Sequence, residues 1–283
     1  MRRLTPYLFV LPAVLFLGAL LVYPVVLNVL MSFQDVSAGN LLGGAEWIGF
    51  ENYRAAFADE VFVDAAWHSV TYAAVSVVVQ LVAGTGLALF YAQSFPGARA
   101  LRSLYMIAYA IPVVVSAELF RWLLDGRSGF VNWVLGTRDV FWLADTSLAL
   151  PAVIGIQVWL GVPFVLVSLT AGLVAIPREF GEAALIDGAS AWQRFRWVTW
   201  PLLRPVVAAT AVLSTIFTLK SFDLVWIATQ GGPAGASEIL PTLAYRLVFT
   251  SFLFGKGAAI MNVIFAVLFV LSLLYLRTDR RTS

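Results

Sequence analysis

The sequence predicts an all-α membrane protein of six transmembrane helices, and three observations predict it. Hydrophobic residues make up 61% of the 283 positions and charged residues only 12%, where a soluble domain carries about 25% charged residues. Six stretches, about 8–31, 69–92, 104–124, 148–175, 204–228 and 258–276, each supply the roughly 20 predominantly apolar residues that a bilayer core of about 30 Å demands. None of the six alternates polar and apolar residues as a barrel strand would. The whole chain, 1–283, reads as one transmembrane domain.

The first span follows Arg2 and Arg3 and runs far beyond the roughly 7–15 apolar residues of a signal peptide, so it reads as uncleaved. The second begins beside the single histidine, His68, which reads as interfacial. The third holds Glu118 and Arg121, and the fifth holds Lys220 and Asp223. Such groups at bilayer depth cost about 2.5–3.5 kcal/mol each on insertion scales and raise a functional hypothesis by default. Each pair is spaced i, i+3, so a self-neutralising pair on one helix face is the competing structural reading. Pro12, Pro24, Pro112 and Pro163 are expected to kink spans without ending them, since neighbouring helices can satisfy the freed backbone groups. Tryptophans near span ends, among them Trp47, Trp67, Trp122, Trp142 and Trp197, are expected as interfacial anchors.

Orientation follows from the basic residues. Arg2, Arg3, Arg99, Arg102, Arg178, Arg194, Arg196, Arg204, Arg277, Arg280 and Arg281 flank the spans on one side, eleven against five on the other (Arg54, Arg127, Arg138, Arg246 and Lys256). The positive-inside rule makes the first set cytoplasmic, with both termini. The absence of cysteine and the single histidine exclude disulfides, thiolate metal sites and a histidine metal cluster within this chain. No metal site is expected, and no catalytic cluster of polar groups at one membrane depth stands out.

The cytoplasmic loop 176–203 carries the clearest local grammar. Pro177 suits a helix start, and Glu179 and Glu182 follow where the helix dipole favours acids. Ala183 and Ala184 keep one surface small enough for close approach, Gly188 supplies a turn, and Ser190-x-x-Gln193 has the form of a capping box opening a second short helix. The result is a helix–turn–helix elbow that is either a knob for a partner's groove or a packed connector.

Glu182-Ala183-Ala184, three residues, Gly188, nine residues, Val198, one residue, and Trp200-Pro201 resemble the signature of binding-protein-dependent ABC importer permeases. Val198 and Trp200 stand where that signature has Ile and Leu. Trp47-Ile48-Gly49-Phe50-Glu51-Asn52-Tyr53, Arg121-Trp122-Leu123-Leu124-Asp125, Asp187-Gly188-Ala189-Ser190, Phe222-Asp223-Leu224-Val225 and Thr229-Gln230-Gly231-Gly232-Pro233 resemble its sugar-permease branch, of the maltose and glycerol-3-phosphate type.

The resemblance implies a prokaryotic plasma-membrane subunit forming half of a sugar path, with Glu182, Ala183, Ala184, Asp187, Gly188 and Ser190 coupling it to an ATPase. Partners would be a second permease, two ATPase subunits, an extracytoplasmic binding protein and membrane lipid, with no nucleic acid. The chain has no Gly-x-x-x-x-Gly-Lys-[Ser/Thr] loop, so it is not expected to be the enzyme, and ATP and Mg would be held by the partner ATPase. Lys220, Asp223, Phe222 and Trp159 are the substrate-path candidates. A neutral mono- or oligosaccharide is the leading cargo. A phosphorylated polyol such as glycerol-3-phosphate is the alternative, and a secondary transporter is a more distant one.

Overall fold

The computed structural model describes residues 5–41, 43–93 and 95–279. Arg2, Arg3, Arg280 and Arg281, which entered the orientation argument, lie outside the described residues. The first span is α1 (Thr5–Leu17) and α2 (Tyr23–Ser32), joined by a π-helical turn at Gly18–Val22. Pro12 sits inside α1, and Pro24 opens α2. After an antiparallel pair of two-residue strands, β1 (Gln34–Asp35) against β2 (Glu46–Trp47), come α3 (Glu51–Ala58) and α4 (Glu60–Tyr91), the second span.

The third span is α5 (Ala98–Ala110) and α6 (Val113–Leu123). The fourth, after α7 (Phe130–Leu135), is α8 (Ala149–Ala175), which passes Pro163 unbroken. The elbow is α9 (Arg178–Ile186) and α10 (Ala191–Arg194), continuing through a π-helical turn at Phe195–Thr199 into α11 (Trp200–Leu219). There follow α12 (Asp223–Thr229), α13 (Leu240–Phe249) and α14 (Phe254–Asp279), the sixth span.

Two spans depart from expectation. Among the described residues five helices are long and apolar enough to cross a membrane, and the predicted third span is not one of them. It is two halves separated at Ile111 and Pro112, where Pro112 has ψ 141°. Proline lacks the N–H for the i→i−4 bond and pushes its predecessor out of the α region. Pro112 therefore ends a helix rather than kinking one. The predicted 204–228 span is also broken, between Leu219 and Asp223.

The described residues form two compact units. In one (the N-terminal part to Asp64 with Leu243–Ala266), polar side chains tie the first span to the last. Asn28 Nδ2 donates to Asn262 Oδ1 at 2.7 Å, Asn262 Nδ2 donates to Tyr53 OH at 3.1 Å, and Tyr53 OH meets Ser32 Oγ at 2.8 Å. Phe33 stacks on Trp47 at 5.5 Å and meets Phe50 edge-on at 5.1 Å. The 47–53 motif is thus an internal clamp. Burying these amides against one another satisfies groups that lipid could not.

The other unit (Ala65–Thr242 with Val267 onward) has its core on α8. Val165, Leu166 and Leu169 pack with Ala88 and Tyr91 of α4, while Val153 and Ile156 pack with Tyr72, Ala117, Leu224 and Val225. Lipid tails are as apolar as leucine, so close packing rather than water exclusion holds membrane helices together. Glycine at the contacts permits it: a Cβ at Gly84 would overlap Val165, and one at Gly172 would press on Leu203 at 2.9 Å.

Candidate functional site

The elbow is built by two caps. At the end of α9, Gly188 N–H donates to Leu185 O at 3.0 Å and Ala189 N–H to Ala184 O at 2.9 Å, with Gly188 at φ +76°. These are the paired bonds of a Schellman motif, and the left-handed residue they require is almost free of cost only for glycine. At the start of α10, Gln193 N–H donates to Ser190 Oγ at 3.3 Å while Ser190 N–H donates to Gln193 Oε1 at 2.8 Å, the predicted capping box. The local signals in the sequence therefore give the local structure directly.

What the elbow does not do is bury its apolar residues. Phe180 is 52% exposed, Ile186 86%, Trp192 69% and Trp197 74%. Glu182 and Ala183 are exposed on the same short helix, and Asp187 caps it. A cavity of about 300 Å³ opens between the two helices, lined by Ala184, Asp187, Gly188, Gln193, Arg194 and Trp197. A connector packed for its own sake would have turned these aromatics inward; this one presents an apolar, small-residue surface.

The intramembrane charges divide. Arg121 and Glu118 form the expected pair at 2.9 Å. Lys220 and Asp223 do not: among the described residues no ion pair joins them. The i, i+3 rule needs one continuous helix, and the break puts Lys220 at the end of α11 and Asp223 at the start of α12. Lys220 Nζ lies instead 5.1 Å from the Phe217 ring centroid, a cation–π contact. Phe222 stacks on Trp226 at 5.5 Å, and Trp159 meets Phe120 edge-on at 5.2 Å. Each of these rings has an aromatic partner in the structure.

A polar chamber that sequence reasoning missed lies between α4, α8 and α11. Tyr72 OH donates to Gln157 Oε1 at 2.9 Å, Gln157 Nε2 donates to Thr218 Oγ1 at 3.2 Å, and Gln80 Nε2 donates to Gln157 O at 2.9 Å. All four side chains are buried, and Gly161 leaves room for the Gln80 amide that any Cβ would fill. Beside them is a cavity of about 190 Å³ lined by Gln80, Gln157 and Thr218 together with Ser214, Ser221, Tyr109 and Phe217. The Ser214 hydroxyl is buried with no hydrogen-bond partner among the described residues. The available signal was two glutamines in the middle of apolar spans, which charge counting passes over.

Comparison with known proteins places these features in context. A family profile described as "binding-protein-dependent transport system inner membrane component" matches residues 80–283. The chain is 37% identical over 285 residues to the diacetylchitobiose uptake system permease protein DasB of Streptomyces coelicolor, covering 97% of this chain and 86% of that one. It is 32% identical over 278 residues to the trehalose/maltose transport system permease protein MalF of Thermococcus litoralis, covering 97% and 93%. A bacterial ABC transporter that imports the acidic polysaccharide alginate has a chain of the same fold, with TM-score 0.85, 22% identity, and 99% and 96% of the two chains covered.

Proposed function

The chain belongs to the inner membrane components of binding-protein-dependent transport systems, and from that premise we propose that it forms half of the path of an ATP-driven importer for a neutral mono- or oligosaccharide. Family membership sets the secondary-transporter reading aside. The observation that carries the cargo class is the chamber around Gln157. Two glutamine amides and the hydroxyls of Tyr109, Ser214, Thr218 and Ser221 stand in a largely apolar wall that includes Val113, Leu160, Phe164 and Phe217, with no charged side chain among its described lining residues. Such a mixture matches a sugar, whose hydroxyls both donate and accept and whose ring faces are apolar. The named sugars of the relatives, diacetylchitobiose, trehalose and maltose, point the same way.

In this reading the elbow docks on an ATPase, with Glu182, Ala183, Ala184, Asp187, Gly188 and Ser190 at the contact. ATP and Mg belong to that subunit, and a second permease and an extracytoplasmic binding protein complete the assembly. The elbow and both termini face the cytoplasm, as the basic residues require.

The phosphorylated-polyol alternative has one observation in its favour, the Lys220 ammonium beside Phe217, a residue of the chamber wall. Uptake by cells carrying the whole transporter decides between them. ATP-dependent uptake of maltose, trehalose or diacetylchitobiose that survives Lys220→Gln supports the neutral reading; uptake of glycerol-3-phosphate alone, lost in Lys220→Gln, overturns it.

A further inference from the structure

Two sequence motifs remain without a role, Arg121–Asp125 and Thr229–Pro233, and the fold brings them to one place. We propose that together they form an extracytoplasmic site for one neutral pyranose unit, a first station for cargo on its way to the chamber; the proposal rests on the carbohydrate reading above. Arg121, Asp125, Phe141, Thr229 and Gln230 line a pocket of about 350 Å³, within the roughly 300–1,000 Å³ of small-molecule sites.

Both walls are fixed in advance. On one side Asp125 Oδ1 accepts from Ser128 N–H at 2.7 Å, Ser128 Oγ at 2.8 Å and Arg127 N–H at 3.1 Å. These bonds hold its carboxyl below the usual range, the Ser128 backbone N–H contributing most. Asn132, buried to 3% exposure, donates to Gly126 O at 2.9 Å and Val140 O at 3.0 Å and accepts from Trp142 Nε1 at 2.8 Å. Gly126 leaves the Phe141 ring a place that any Cβ would occupy. On the other side Gly232 N–H donates to Thr229 O at 2.9 Å, and Ser237 Oγ bonds both Gly232 O and Thr229 Oγ1 at 2.6 Å. Gln230 stands at φ 54° on that rim. Side chains held this way are pre-organised for a ligand rather than ordered by it.

The chemistry suits a sugar. Only Nη1 of Arg121 is engaged by Glu118 among the described residues, which leaves the rest of the fork to donate. Asp125 accepts, and an amide such as that of Gln230 does both, while the Thr229 hydroxyl braces the wall through Val225 O, Ser237 Oγ and Gly231 N–H. Phe141 offers an apolar ring surface, and since Arg121 is already paired with Glu118, Asp125 leaves the local charge net negative, so nothing favours an anion. Val113 lines the chamber and Leu124 the outer pocket. Their eleven-residue separation, from the first residue of α6 to the one that caps its end, is close to three helical turns, about 16 Å along one face. The two sites stand in line.

The test uses the assembled transporter in proteoliposomes with Ala144→Cys, at an exposed alanine of the pocket wall and the one thiol of an otherwise cysteine-free chain, alkylated from outside by an impermeant maleimide. The probe is whichever of maltose, trehalose and diacetylchitobiose the wild type takes up. Without binding protein, the sugar is expected to slow alkylation at least fivefold, sodium chloride not at all, and adding Asp125→Asn to raise the protecting concentration at least tenfold. An alkylation rate indifferent to sugar, while uptake is normal, overturns the site and leaves the carbohydrate reading standing. Protection by binding protein alone, sugar-loaded and sugar-free alike, marks a protein-docking surface and also overturns it. A wild type that moves none of the three sugars removes the reading and the site with it.

Discussion

Gly188 shows how one residue can be required without touching anything. A Cβ there would meet no atom within 4 Å, so the constraint is the backbone at φ +76° alone. A left-handed non-glycine residue costs roughly 1–2 kcal/mol, less for asparagine. Gly188→Val is therefore expected to abolish uptake and weaken ATPase co-purification with the chain still inserted, and Gly188→Asn to retain most uptake; normal transport by the valine variant would contradict this. In the chamber, interhelical hydrogen bonds in membranes average about 0.6 kcal/mol, too little for Thr218→Val or Gln157→Leu to unfold the chain. Both are predicted to express near wild-type levels while sugar uptake falls at least tenfold, and unaltered uptake would remove the chamber from the path. The elbow residues were legible because cap and turn signals are local. The Lys220–Asp223 pairing was not, because spacing along the sequence presumes an unbroken helix.

At the scale of elements, hydropathy found where each span lies and missed where two of them break. A window of apolar residues is the same whether it holds one helix or two. Pro12 and Pro163 lie inside helices while Pro112 ends one, so proline identity alone does not tell kink from stop; the surrounding packing does. The break at Lys220–Phe222 has no proline or glycine to announce it. It places Lys220 on its own cation–π contact, so Lys220→Met is expected to insert and assemble normally without a compensating change at Asp223. Loss of the assembled complex in the single variant, restored by adding Asp223→Leu, would show that the two charges depend on each other after all. Trp142, near a span end, turns its indole N–H to Asn132 at 2.8 Å. Position near a span end did not reveal that partner.

For the molecule as a whole, fold class and family were legible because composition, six apolar spans and ordered motifs all act over long stretches of chain. The polar chamber was not, since it is assembled from glutamine, tyrosine and threonine on three helices that are distant in sequence. Topology is open to direct measurement in a chain without cysteine: Gly43→Cys and Gly235→Cys are expected to label from outside intact cells. The central claim is that the exposed elbow is the cytoplasmic seat of a separate ATPase, and Ala183→Cys tests it most directly, being small, exposed and on α9. The account predicts no labelling by an impermeant maleimide in intact cells, rapid labelling in inverted vesicles stripped of ATPase, and labelling at least tenfold slower once the ATPase subunits rebind. Labelling in intact cells, or a rate in vesicles that ignores the ATPase, would contradict it.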